Sequence, residues 1–172
     1  MGMFMPPGHF YNQFNENGDF EAPSLNFTFA AFAHMMAFFL TLFLLFFALY
    51  TVIWVADMRS TFLNPIEQCK WMNSLILPEY CLHGIVCLLL LYAFQVVSFA
   101  LNVPLLAYHV HRYATRPVKF GAGIYDPTTV MNGNELDKAN REGCGKLAFH
   151  GVMAIYYLVF FVYTLSTSSD AE

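Results

Sequence analysis

The chain has 172 residues, of which 58% are hydrophobic and only 12% charged, with a net charge of −4. Soluble domains carry about 25% charged residues, so a soluble globular core is excluded, and the absence of a basic patch excludes nucleic acid as a partner. The composition is that of a polytopic membrane protein whose core is a helical bundle in the bilayer.

Met1–Asn26 is rich in Gly, Pro, Asn and Phe, and its only charges are acidic. It reads as a disordered tail, residues 1–26. Without Lys or Arg it lacks the positive n-region of a cleavable signal, so the first hydrophobic helix is expected to act as an uncleaved signal-anchor. Asn26-Phe27-Thr28 forms a glycosylation sequon and is read as a chance occurrence. Residues 27–55 make the first span, without a charge. Within it Phe32, Phe39, Phe43, Phe46, Tyr50 and Trp54 recur at helical spacing on one face. Such a stripe suits a lipid-facing or intra-bundle surface, and equally a docking face for other proteins' membrane helices, where flat rings pack well.

Ala56–Asn73 reads as a polar loop in which Asn64-Pro65 starts a turn. The next helix is expected over residues 77–99, with Pro78 in its first turn and Glu79 complementing the positive helix end. Glu79 and His83 stand four apart on one face. They are read as a cap with local hydrogen bonds at a water-accessible helix mouth, not as a catalytic pair. Gln95 is expected to bond a neighbouring helix. No charge stands between Glu79 and Arg112, a stretch too long for one comfortable crossing of a core about 30 Å thick. Asn102 and Pro104 supply a turn and helix-start signal within it. The spacing therefore predicts a tight hairpin turning near Ala100–Pro104, with a third span over residues 102–117.

Pro117–Gly145 reads as a polar segment, with a turn at Asp126-Pro127, helix-cap candidates at Thr128 and Thr129, and a short surface helix over Glu135–Glu142 carrying an Asp137–Arg141 pair. The last span is expected over residues 147–166, and a short acidic tail follows, residues 168–172.

All eight Lys and Arg residues fall in two segments, 59–70 and 112–146. Short cytoplasmic loops carry the positive excess. Both segments should then be cytoplasmic, with an even number of crossings between them. The predicted fold is an all-α membrane protein, a four-helix transmembrane bundle over residues 27–167 with both termini lumenal or extracellular.

No catalytic constellation stands out. There is no Gly-rich phosphate loop, no nucleophile elbow and no zinc-type cysteine spacing among Cys69, Cys81, Cys87 and Cys144. The six histidines look scattered. Neither a metal nor a cofactor is expected, and the chain is not expected to be an enzyme. What remains is a small bundle able to bind other membrane proteins side-on within the lipid and to present polar loops on one side, as a membrane adaptor or auxiliary subunit.

Several stretches resemble the cornichon family, in the family's order: FTFAAF (Phe27–Phe32), NPIEQC (Asn64–Cys69), LPEY with His83, LNVPLLAYH (Leu101–His109) with Arg112-Tyr113, Arg116-Pro117-Val118, GIYDPTT (Gly123–Thr129) and KLAF (Lys146–Phe149). The resemblance implies a cargo receptor that binds transmembrane proteins in the endoplasmic reticulum and links them to the COPII coat for export to the Golgi. It also implies an alternative role as auxiliary subunit of AMPA-type glutamate receptors, in a receptor complex at the plasma membrane. Contact with cargo or receptor helices is implied at Phe27, Phe29 and Phe32, and the same face continues to Phe39 and Phe43. Coat binding in the fungal member maps onto Val130, Met131, Asn132, Gly133 and Asn134. The first loop has no insert of the kind found in the neuronal members, which favours general export.

Overall fold

The structure, a computed structural model, describes residues 25–60, 64–116 and 123–169, with side chains described for 29–60, 64–116 and 123–166. Four helices follow one another: α1 Leu25–Ser60, α2 Pro65–Tyr92, α3 Val96–Ala114 and α4 Gly133–Ser169. The tails expected at 1–26 and 168–172, with Phe27's side chain, fall outside or at the edge of the described residues. α1 with 36 residues and α4 with 37 are each roughly 55 Å long at 1.5 Å per residue, so both extend beyond a hydrocarbon core of about 30 Å. Among the described residues, α1, α2 and α4 each contain a stretch long and apolar enough to cross a membrane: Phe29–Ser60, Pro65–Tyr92 and Gly133–Ser166. α3 is helical over 19 residues but is interrupted by Ser98, Asn102, His109, His111 and Arg112. The helices alternate in direction, so α1 and α3 run one way while α2 and α4 run the other.

The helix boundaries differ from the sequence expectation at two places. α2 begins at Pro65, not near Leu77. Asn64 caps it by accepting from the Ile66 amide at 3.1 Å, with Pro65 at the first helical position and Glu67 in the first turn. Pro78 therefore lies inside the helix, a substitution that membrane helices tolerate because neighbouring groups re-satisfy the backbone. The hairpin turns at Ala93–Gln95, not at Ala100–Pro104. The Gln95 amide reaches the Leu90 carbonyl at 2.9 Å and the Phe94 amide the Leu91 carbonyl at 3.0 Å, the two bonds of a Schellman helix stop. Phe94 takes the left-handed position that glycine usually fills, with φ 54°. Asn102 and Pro104 instead lie within α3, where Asn102 Nδ2 donates to the Ser98 carbonyl at 2.7 Å. Gln95 sits in the turn, and its side-chain amide donates to the Ala93 carbonyl at 3.4 Å rather than to a neighbouring helix.

α1 packs chiefly against α4, and also against α2, while α2 pairs with α3. The buried edge of α1 is a seam of Ala33, Ala37, Thr41, Leu44, Ala48 and Thr51. Small side chains let helix backbones approach closely, which is how helices associate in lipid. On the facing side of α4, a Cβ added to Gly143 would meet Val52 at 3.1 Å and Thr51 at 3.2 Å.

At the polar end a second core forms from Trp54, Val55 and Met58 of α1, Cys69, Met72 and Ile76 of α2, and Leu136 and Ala139 of α4. The segment Gly123–Val130 folds down onto it and contributes Ile124, Tyr125 and Val130. Asn73 clamps this segment: its Oδ1 accepts from the Ile124 and Tyr125 amides at 3.0 and 2.9 Å, and its Nδ2 donates to the Tyr125 carbonyl at 2.8 Å. Tyr125 packs on Trp54 with ring centroids 5.0 Å apart, and its burial, reinforced by the Glu142 carboxylate, holds its phenol well above the usual range and thus neutral. Gly123 is required because a Cβ there would lie 2.2 Å from Asn73 Cγ. The surface helix expected at Glu135–Glu142 is the first part of α4. Its Asp137 pairs with Arg59 of α1 instead of Arg141. Cys69 and Cys144, expected in loops, lie in α2 and α4, and all four cysteines are free.

Gly123→Ala should force the Asn73 clamp open and cost about 1–3 kcal/mol through lost hydrogen bonds to buried backbone amides. Thermal unfolding of the detergent-solubilised protein measures this. Asn73→Leu should lower the midpoint similarly, and the two changes together should cost clearly less than the sum.

Candidate functional site: an outward aromatic face and a buried polar column

α1 presents opposite faces to two environments. The small-residue seam faces α4, and roughly opposite it Phe32, Phe39, Phe43 and Phe46 are 48–62% exposed. Phe29 is half-buried and packs edge-on against Tyr92 at the end of α2, with centroids 5.5 Å apart. Tyr50 is half-buried against the polar-end core and Trp54 is fully buried there. The aromatic stripe legible in the sequence is thus outward only from Phe32 to Phe46, and beyond that the Gly123–Val130 segment covers it. Leu42, Leu49 and Ile53 extend the outward surface.

The bundle interior holds a column of polar side chains. At its polar end Arg112 Nε lies 3.1 Å from Glu142 Oε1. One layer deeper Lys146 Nζ lies 2.7 Å from Glu79 Oε1, with both side chains almost wholly buried. The Lys146 ammonium also stands 5.2 Å from the centroid of the Tyr80 ring, which stacks on His109 at 4.3 Å. His109 Nδ1 is 3.2 Å from His83 Nδ1, and His83 Nε2 is 3.3 Å from Asn102 Oδ1. The Asn102 amide donates to the Tyr157 hydroxyl at 2.6 Å. Ser98 Oγ is 3.0 Å from the Tyr156 hydroxyl and 3.2 Å from His34 Nε2, and His34 Nδ1 reaches the Ala30 carbonyl at 2.9 Å. His150 stands beside His83, ring centroids 5.6 Å apart.

The hydrogen-bond partners assign the tautomers. His83 Nε2 faces a carbonyl oxygen and must carry its proton, so its Nδ1 accepts from the Nδ1–H of His109. His34 Nδ1 faces a backbone carbonyl and donates, so its Nε2 accepts from the Ser98 hydroxyl. His34 and His83 are thereby satisfied at both ring nitrogens, whereas His109 is paired only through Nδ1, and its Nε2, like His150 Nε2, is buried without a hydrogen-bond partner among the described residues. The Glu79–Lys146 and Arg112–Glu142 pairs cancel in charge. Among the described residues, no group of three or more His, Cys, Asp and Glu side chains is disposed to hold a metal.

This arrangement corrects the reading of Glu79 as a water-accessible cap. Glu79 is 2% exposed because α4 brings Lys146 onto it. The histidines are not scattered either: four of the six converge from four helices. The helical spacing within each strip was a usable signal, since Glu79 and His83 on α2, Ser98, Asn102 and His109 on α3, and Lys146, His150 and Tyr157 on α4 each recur on one face. The residues implied for coat binding divide. Val130 is buried in the polar-end core, whereas Met131, Asn132, Gly133 and Asn134 are exposed around the start of α4.

Lys146→Met should destabilise the bundle by about 3–5 kcal/mol, because it leaves the Glu79 carboxylate buried and unpaired. Adding Glu79→Gln should recover most of that loss, since the uncompensated charge is then gone. Unfolding midpoints of the two single variants and the double variant in detergent provide the check, and a double variant as unstable as Lys146→Met would contradict the pairing.

The sequence matches the family model described as cornichon protein over residues 31–163. The chain is similar to Protein cornichon homolog 1 of Caenorhabditis elegans, at 48% identity over 143 residues, covering 83% of this chain and 99% of the relative. It is also similar to Protein cornichon of Drosophila virilis and of Drosophila melanogaster, each at 43% identity over 139 residues, covering 81% of this chain and 96% of the relative. The matched region runs from the aromatic face of α1 through the polar column to Tyr163, so it takes in the whole bundle core, and the chain belongs to the cornichon family.

Proposed function

We propose that this chain is a transmembrane cargo receptor. It binds integral membrane proteins side-on in the endoplasmic reticulum through the outward aromatic face of α1 and promotes their export to the Golgi in COPII vesicles. The observation that carries this reading is the division of labour on α1. One face is spent on the seam with α4, while Phe32, Phe39, Phe43 and Phe46 remain uncovered at helical spacing. In lipid, helices associate by packing, and aromatic rings offer large rigid contact area for that purpose. Family membership adds to it, and the polar column assigns no catalytic step. Met131–Asn134, exposed at the polar end, is the candidate coat contact, with Val130 as its buried anchor.

The same reading has all four helices crossing the membrane with both termini lumenal. α2 and α4 run parallel, as Glu79 beside Lys146 and His83 beside His150 require. If both cross, α3 must carry the chain back between them. At 19 residues α3 is roughly 28 Å long, just enough for the core. Arg59, Lys70, Arg112, Arg116, Lys138, Arg141 and Lys146 all stand toward the end where α1 finishes and α2 and α4 begin, which makes that end cytoplasmic.

The packing of Phe29 on Tyr92 supports a second reading, an auxiliary subunit of AMPA-type glutamate receptors, because it gathers aromatics at the lumenal end of α1. Co-expression with such a receptor and recording of desensitisation, with and without Phe29→Ala and Phe32→Ala, tests it. An unaltered time course removes it.

For the leading reading, Phe39→Ala with Phe43→Ala should weaken cargo association about tenfold, since each aromatic contact contributes about 0.5–1.5 kcal/mol. Cargo should accumulate in the endoplasmic reticulum of cells that carry only this variant. The variant's unfolding midpoint should stay near that of the unaltered chain, because both rings are exposed. Normal export of every membrane cargo examined would contradict the proposal.

A further inference from the structure

We propose that α3 does not enter the membrane by its own hydrophobicity but is held there by side chains of the other three helices, so that its crossing is completed only when α4 docks. The inference rests on the four-crossing reading above. α3 is the one helix of the four that lacks a stretch apolar enough to cross alone. Its polar residues Ser98, Asn102, His109 and Arg112 follow one another at intervals of four, seven and three positions, a single helical face. The rest of its surface, with Val96, Val97, Leu101, Val103 and Val110, is exposed and mostly apolar, with His111 exposed near its end. Such a helix in isolation prefers to lie in the membrane interface, with its polar face toward water.

Each polar residue on that face meets a partner from another helix. Ser98 meets His34 of α1 and Tyr156 of α4. Asn102 meets His83 of α2 and Tyr157 of α4. His109 meets His83, and Arg112 meets Glu142 of α4. Three of the four thus depend on α4, which follows α3 in the chain. α2 gives the polar face of α3 the hydrogen bonds of His83 and the stacking of Tyr80 on His109, plus the covalent turn at Ala93–Gln95. Hydrogen bonds between helices compensate polar groups that hydrocarbon leaves unpaired. Without α4 the Ser98, Asn102 and Arg112 groups lack those α4 partners, and the cost of burying them falls on α3.

The test uses the full chain with Asn26→Gln throughout and a hydrophilic spacer carrying one glycosylation acceptor between Arg116 and Gly123. With α3 across the membrane the acceptor is cytoplasmic and stays unmodified. In a partner variant, His83→Leu, Glu142→Gln, Tyr156→Phe and Tyr157→Phe, α3 itself is untouched but its polar face loses most of its bonds. The ratio of modified to unmodified chain should rise about tenfold or more, the summed effect of several interhelical hydrogen bonds. Adding Ser98→Ala, Asn102→Leu and His109→Leu to that variant leaves Arg112, near the end of α3 where its long side chain can reach water, as the last polar residue of that face, and should return the ratio most of the way to its starting value. That rescue separates α3's own polarity from general misfolding. An acceptor that stays unmodified in the partner variant, or a ratio that the less polar α3 fails to restore, overturns the dependence while leaving four crossings standing. An acceptor already modified in the unaltered chain removes the four-crossing reading, and this inference with it.

Discussion

Within a bilayer a buried charge or hydrogen-bonding group has no water to turn to, and the Glu79–Lys146 pair is where this chain meets that constraint most severely. Both side chains are nearly inaccessible. Two opposite charges so placed are tolerable only when held together, because separating them leaves an uncompensated ion in a low dielectric. The pair fixes the register of α4 against α2, and with it the approach of His150 to His83. Asn102, Tyr157, Ser98, Tyr156 and His34 follow from the same register, since each donor along the column needs its acceptor at one height. The polar interior is thus a positional code for the bundle, in a medium where apolar contact alone discriminates weakly between registers.

Confining polarity to the interior leaves the outer surface free for other work. α1 divides its circumference between a seam of alanines and threonines and a row of phenylalanines. The seam allows close approach to α4, and Gly143 marks its tightest point. From Phe32 to Phe46 the phenylalanines of that row are about half exposed or more. At the polar end the Gly123–Val130 segment, clamped by Asn73, closes the space between α1, α2 and α4. It carries Met131–Asn134 to the surface at the same time, so the covering of the core and the display of a short exposed stretch come from one structural device.

Part of this was legible in the residues. The charge deficit alone placed the chain in a membrane, the helical spacing of the phenylalanines marked the outward face of α1, and the motif series marked the family. The hairpin turn was misplaced because its stop is built by backbone bonds around Phe94. A phenylalanine in the left-handed conformation leaves no compositional trace, whereas Asn102 and Pro104 look like a turn while sitting inside a helix. The start of α2 was misplaced because Asn64-Pro65-Ile66-Glu67 is both a turn signal and a helix N-terminus, and only the bond from Asn64 to the Ile66 amide decides between them. The polar column was hidden for a different reason. Its members recur at helical spacing on α2, α3 and α4, but their pairing joins residues far apart in sequence, and no local pattern tells which strip faces which.

The central claim is that the chain engages other membrane proteins through one face of α1 while its remaining helices serve the bundle. Site-specific photo-crosslinking in endoplasmic reticulum membranes addresses it directly, with a photoreactive residue at Phe39 or Phe43 on α1, at Leu88 on α2 or at Val152 on α4. All four positions are exposed, so lipid access is comparable. The account predicts adducts with integral membrane proteins from Phe39 and Phe43, and little beyond lipid adducts from Leu88 and Val152. Protein adducts of equal yield from all four positions, or from α2 and α4 alone, would contradict it.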